Sequence, residues 1–109
     1  MSDLAKMDCV PCRGGVQPLK GAAILALQAR LGADWRVVGE HHLEKDYAFP
    51  AFRDTIAFVN RVAGVAEAQG HHPEMQVGFR TLTLRIWTHK IDGLTESDFV
   101  LAARADAAL

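Results

Sequence analysis

Residues 66 to 75 read AEAQGHHPEM, and the adjacent His71 and His72 are the side chains in this stretch best suited to chemistry. Imidazole has an unperturbed pKa near ~6.5, so histidines grouped in one place hold both proton donors and proton acceptors at neutral pH. That suits an elimination, in which one group removes a proton while another protonates the leaving oxygen. No nucleophile is needed. Gly70 is placed to end a helix through a left-handed turn, and Pro73 stiffens the chain ahead of the pair, so both rings are held steadily without being buried. Glu67 stands four residues before His71, within reach of its imidazole or of a shared ligand while the helix lasts. His89 ends the polar face of an alternating run. Three imidazoles and one carboxylate are therefore expected to converge where a helix C-terminus meets a strand end.

Other chemistry competes at this level. Three histidines also suit zinc, but adjacent histidines tend to diverge, and the helical His-x-x-x-His spacing that marks a metal site is missing. The plainest alternative is a polar loop at His71 and His72 and an exposed strand end at His89. A second pair, His41 and His42, has no motif around it and is expected in a solvated turn. Cys9 and Cys12, in CVPC, follow no strand-like run of the kind that opens a redox helix, and they make only half of a structural zinc site. They read as reduced residues of an N-terminal arm.

The elements that must position these residues follow from periodicity. Residues 1 to 16 show no sustained period and are expected to form an arm, leaving 17 to 109 as a single domain. Pro18 suits a first helical turn, with Leu19, Ala23, Leu27 and Leu31 near one face and Gly32 as the stop. Trp35 to Val38 and Leu43 to Phe49 form a hairpin around Gly39. Pro50 opens a second helix whose core stripe is expected at Phe52, Ile56, Val59, Val62, Ala63 and Ala66. In VGFRTLTLRIWTH, Leu82, Leu84 and Ile86 point one way, and Thr81, Thr83, Arg85, Trp87 and His89 the other. A split into two paired strands falls near Phe79 to Thr81. Thr95 and Asp98 form a capping box for a third helix, with Leu94 stapled on Phe99. The order α-β-β-α-β-β-α describes an α+β fold, a four-stranded antiparallel sheet with three helices on one face.

Composition narrows the function. The chain has 109 residues, 50% of them hydrophobic, and 12 basic against 13 acidic residues give a net charge of −1. No basic footprint points to nucleic acid. No run approaches the ~18 apolar residues of a membrane span, and the first residues lack a charged head followed by an apolar stretch. A cytoplasmic domain is expected, small enough to gain from oligomerisation.

Taken together, EAQGHHPEM, the aromatic Phe79, His89 and Asp98 in GLTESDF closely resemble the pterin-4a-carbinolamine dehydratases. Their pattern is an acidic or similar residue, three residues, His-His-Pro, an aromatic, then a His or Trp and a later Asp. The likeness covers almost the whole chain, including the CVPC arm of some bacterial members, LEKDYAF and DFVLAAR. It implies dehydration of 4a-hydroxytetrahydropterin to quinonoid dihydropterin by histidine general acid/base catalysis, in tetrahydropterin recycling beside an aromatic amino acid hydroxylase such as that for phenylalanine. No metal or redox cofactor is implied. Position by position, it implies catalytic roles for His71, His72 and His89, with acid and base unassigned. Substrate contacts are implied for Glu67, Pro73, Met75, Phe79, Trp87 and Asp98. Glu67 would meet the donor-rich pyrimidine edge of the pterin, while Asp98 is also explained by helix capping alone. Arg85 and Trp87 share the face of His89. Met75 stands where animal members have tryptophan, and its thioether can still pack on a flat ring. The resemblance further implies a homodimer or homotetramer. A different class of function also accompanies the family: a non-catalytic dimerisation or regulatory partner, or a role near molybdopterin metabolism.

Overall fold

The alternation in TLTLRI is realised in the strand that organises the sheet. The computed structural model describes residues 3–11, 14–32 and 34–109. The strands are β1 (Arg36–Val38), β2 (His42–Ala48), β3 (Glu74–Val77) and β4 (Thr81–Ile86), in the spatial order β1-β2-β4-β3. All pairings are antiparallel. The register sets Leu43 opposite Ile86 and Tyr47 opposite Leu82, so the buried side chains of β2 and β4 share one face.

The other face carries charge. Arg36 and Arg85 each donate to Glu44 at 2.8 Å, and these bonds, that from Arg36 foremost, hold the Glu44 carboxyl down at about 2.

Three helices cover the apolar face: α1 (Gly21–Gln28), α2 (Phe52–Gln69) and α3 (Glu96–Ala107). The last is buried nearly all round, with Ser97 to Ala103 and Ala105 all inaccessible. It packs on the sheet, on both other helices, and on a short 3-10 turn at Asp3–Lys6 whose Leu4 is fully buried. Near its end Asp106 accepts hydrogen bonds from Trp35 Nε1, Lys45 Nζ and the Tyr47 hydroxyl at 2.9, 2.8 and 2.6 Å. Burial, and then this bond to Asp106, push the Tyr47 phenol well above its ordinary range.

Three local expectations are corrected. The buried stripe of α2 is Thr55, Phe58, Val62 and Ala66, while Phe52 is half exposed. Two apolar stripes run side by side on this helix, and Thr55 can be buried because its hydroxyl bonds back to the Ala51 carbonyl at 3.3 Å. Phe58 then packs on the rings of Tyr47 and Phe49, with centroids 4.7 and 5.4 Å away.

α1 starts three residues after Pro18, which instead lies against Gly93, where a Cβ would come within 2.6 Å of the proline ring. The helix also ends before Gly32, because Arg30 and Leu31 N–H bond to the carbonyls three residues back, tightening the chain out of α geometry. Finally, β4 stops at Ile86: Thr88 bridges to Gly93, and His89–Ile91 form a 3-10 turn rather than a strand end.

Candidate active site

Gly70 ends α2 at φ 62°, and the N–H groups of Gly70 and His71 return to the carbonyls of Glu67 and Ala66 at 3.3 and 3.2 Å. This is a Schellman closure, which only a residue tolerant of the left-handed region makes cheaply. It pins the backbone of His71 to the helix. The side chain is pinned as well, with Nε2 lying 2.6 Å from Oδ1 of Asp98.

Asp98 is fully buried. Its Oδ2 accepts from the Thr88 hydroxyl and from the Thr95 N–H, each at 2.8 Å. The second of these bonds belongs to the capping box of α3. Capping and contact with a site histidine are thus two duties of one carboxylate, one for each oxygen.

His72 pairs with Glu67, its Nε2 2.8 Å from Oε2, with both side chains largely in solvent. The left-handed turn at Gly70 brings His72, rather than His71, back over the last turn of α2. An exposed pair of this kind orients the ring more than it stabilises the fold.

His89 is exposed and lies on Trp87, with ring centroids 4.4 Å apart. Trp87 also has His41 and His42 at 5.1 and 5.8 Å, and His41 Nε2 reaches Asp92 Oδ1 at 2.6 Å. The turn histidines, expected from their sequence to be solvated, are instead partly buried against Trp87.

An open pocket of about 350 Å³ lies where these parts meet, and His71, His72, Trp87, His89, Lys90 and Pro11 line it. Three imidazoles on one cavity can exchange protons with a bound molecule, and the indole offers it a flat wall. Among the described residues no three His, Cys, Asp or Glu side chains stand close enough to hold a metal ion. No helix among them is long and apolar enough to cross a membrane.

The family model for Pterin 4 alpha carbinolamine dehydratase matches residues 17–108. The chain belongs to this family. A Rubrobacter xylanophilus protein, provisionally named a pterin-4-alpha-carbinolamine dehydratase, is 52% identical over 106 residues, covering 97% of this chain and 98% of its own. A Rickettsia bellii protein of the same provisional name is 47% identical over 103 residues, covering 94% and 91%.

Among solved structures, a transcriptional coactivator/pterin dehydratase from Brucella melitensis superposes with TM-score 0.78 at 25% identity, covering 84% of this chain and 98% of its own. A pterin dehydratase-like protein identified as a RuBisCO assembly factor in the alpha-carboxysome gives TM-score 0.61 at 28% identity, covering 70% and 89%.

Not every residue that the family pattern singles out reaches the pocket of this dehydratase-family chain. Met75 lies opposite Leu84 and packs against the core. Pro73 is partly buried and outside the pocket lining. Phe79 is 71% exposed at the β3–β4 turn, where its carbonyl lies 3.4 Å from the Thr55 hydroxyl in the first turn of α2. His71 follows the other end of that helix, about 20 Å away along the axis.

Conversely, Pro11, Thr88 and Lys90 line the pocket without belonging to the motif. Thr88 carried a readable signal: it is a polar β-branched residue after an apolar strand, seven positions before the N-cap Thr95, and the two hydroxyls lie 3.0 Å apart. Cys12, the second cysteine of CVPC, lies outside the described residues.

Proposed function

We propose that the protein removes water from a 4a-hydroxytetrahydropterin to give the quinonoid dihydropterin. The observation that carries this reading is the meeting of His71, His72 and His89 around one pocket. In the reaction the C4a–O bond breaks and the hydroxyl leaves as water after taking a proton. N5 gives up its proton as the C4a=N5 bond forms. One acid and one base suffice, and no oxidant or reductant enters the balance.

Asp98, as a carboxylate, only accepts hydrogen bonds, so it keeps the proton of His71 on Nε2 and leaves Nδ1 as the basic position. His72 and His89 are open to solvent and can be reprotonated from water, which suits them to the acid role. Glu67 orients His72, and Trp87 packs on the flat ring. In this reading the substrate comes from an aromatic amino acid hydroxylase in the same cytoplasm, and the protein works as a homodimer or homotetramer.

Dehydration of chemically generated 4a-hydroxytetrahydropterin is the test, with wild type, His71→Ala, His72→Ala and His89→Ala. Loss of the base or the acid should slow the reaction about 10²-fold or more. A wild type that does not accelerate dehydration overturns the reading, and equal rates in all four would place the chemistry elsewhere. A binding role without chemistry is the second reading, favoured by the RuBisCO assembly factor that shares this fold. The wild-type rate separates the two.

A further inference from the structure

The segment before residue 17 lies outside the span matched by the family model, yet it reaches the pocket. Leu4 anchors it in the core. From there each successive residue is tied down. Arg104 Nε donates to the Met7 carbonyl at 2.7 Å, and its Nη2 to the Asp8 carboxylate at 3.0 Å. The Cys9 N–H donates to Gln69 Oε1 at 2.7 Å, and Gln69 Nε2 returns to Asp8 at 3.3 Å. Ser97 Oγ accepts from the Val10 N–H at 2.8 Å and lies 3.2 Å from the Val10 carbonyl.

The last two anchors are informative by position. Gln69 is the final residue of α2, directly ahead of Gly70 and His71, and Ser97 precedes Asp98 on α3. The segment is thus fastened to the two helix ends that hold the His71–Asp98 pair, and the next residue, Pro11, stands in the pocket beside His71 and His72. Val10 and Pro11 are both exposed, so this end of the segment adds little to the core. Cys9 does not explain it either, because burial, aided by the Asp98 charge, pushes its thiol up to about 11 and keeps it unreactive.

We propose that residues 7–11 form a strap that supplies one wall of the substrate pocket, with Pro11 as a binding residue and Ser97 as the residue that positions it. This rests on the pterin reading of the pocket. Proline suits the task because its ring is apolar and its fixed φ keeps the wall in place. The wall acts on how tightly the flat heterocycle is held, and the proton transfers remain with the imidazoles.

The test uses the full chain with Pro11→Gly, Ser97→Ala and, as a remote control on α1, the exposed Leu25→Ala. KM and kcat are measured for dehydration, and affinity for the non-reacting 7,8-dihydrobiopterin is measured by quenching of protein fluorescence. Losing about 40 Å² of apolar contact corresponds to about a fivefold weaker KM and Kd. That change is expected for Pro11→Gly and Ser97→Ala, with kcat within about twofold of wild type, and no change for Leu25→Ala. Pro11 is exposed, so its replacement does not threaten folding, and superimposable melting curves check this for both variants.

Wild-type KM and Kd in Pro11→Gly, or a loss confined to kcat, would overturn the strap. If the wild type binds the dihydropterin without dehydrating the carbinolamine, the dehydratase reading fails while the binding titration still judges the strap. A wild type that binds no pterin removes both.

Discussion

Replacing Asp98 by asparagine keeps the shape of a fully buried side chain but removes one of its two acceptor positions. Three donors converge on the native carboxylate, from Thr88, Thr95 and His71. An asparagine oxygen placed at Oδ2 can still serve Thr88 and Thr95, but its amide then points an N–H at His71. The imidazole must answer by moving its own proton from Nε2 to Nδ1, so that Nδ1, the basic position in the proposed reaction, becomes a donor. Stability should fall by about 1–2 kcal/mol, the difference between charge-assisted and neutral hydrogen bonds. Activity should fall much further, by about 10²- to 10⁴-fold, as expected when a base is held in the wrong tautomer. Dehydration kinetics give the rate, urea melts give the stability, and nitrogen NMR of the imidazole reports the tautomer directly. A variant with kcat within threefold (~0.7 kcal/mol) of wild type, or with the proton of His71 still on Nε2, would refute the reasoning.

Phe79→Ala should leave KM and kcat unchanged in dehydration kinetics, because the residue lies at the far end of α2 from His71. Gly70→Ala should cost about 1 kcal/mol in a denaturant melt, since no atom lies near the added Cβ and the penalty is that of a left-handed alanine. Glu44 has its pKa lowered on folding from 4.5 to about 2, so its contribution is present above about 4.5 and lost as pH falls through about 2. After solvent screening this should amount to about 1 kcal/mol, and Glu44→Gln should flatten the acid limb of the stability curve by that amount. His41→Ala should uncover Trp87, giving a red-shifted tryptophan emission and a looser His89 turn, seen as faster amide exchange at Lys90 and Ile91.

Local chemistry was legible wherever a single stretch contained both partners of an interaction. The capping box of α3, the left-handed stop at Gly70 and the inward run of Leu82, Leu84 and Ile86 are of this kind. The stripe of α2 was right at Val62 and Ala66 but misplaced in the first turns, where two apolar rows compete and a buried hydroxyl, Thr55, belongs to the winning row. The site was legible in its composition but less so in its wiring. Nothing local to Glu67 tells which histidine it meets, since that depends on the turn between them. Nothing near His41 shows that Trp87, more than forty residues on, will cover it. Asp98 was legible as a cap and, from its surroundings alone, as nothing more. Its histidine partner lies 27 positions away.

The enclosure of α3 on nearly every side has a bearing on how this sequence can drift. Between Ser97 and Ala105 only Arg104 is even partly accessible, so an exchange at almost any of these positions must either open a void or crowd a neighbour. The tolerance expected of a surface helix is missing, and packing would be enough to produce invariance there. In a set of diverging relatives, Asp98 would stand in a block of constant residues for which it is not responsible. Measuring how many substitutions each position of α3 accepts for folding, separately from how many it accepts for turnover, would distinguish the constancy that belongs to the site from that which belongs to the core.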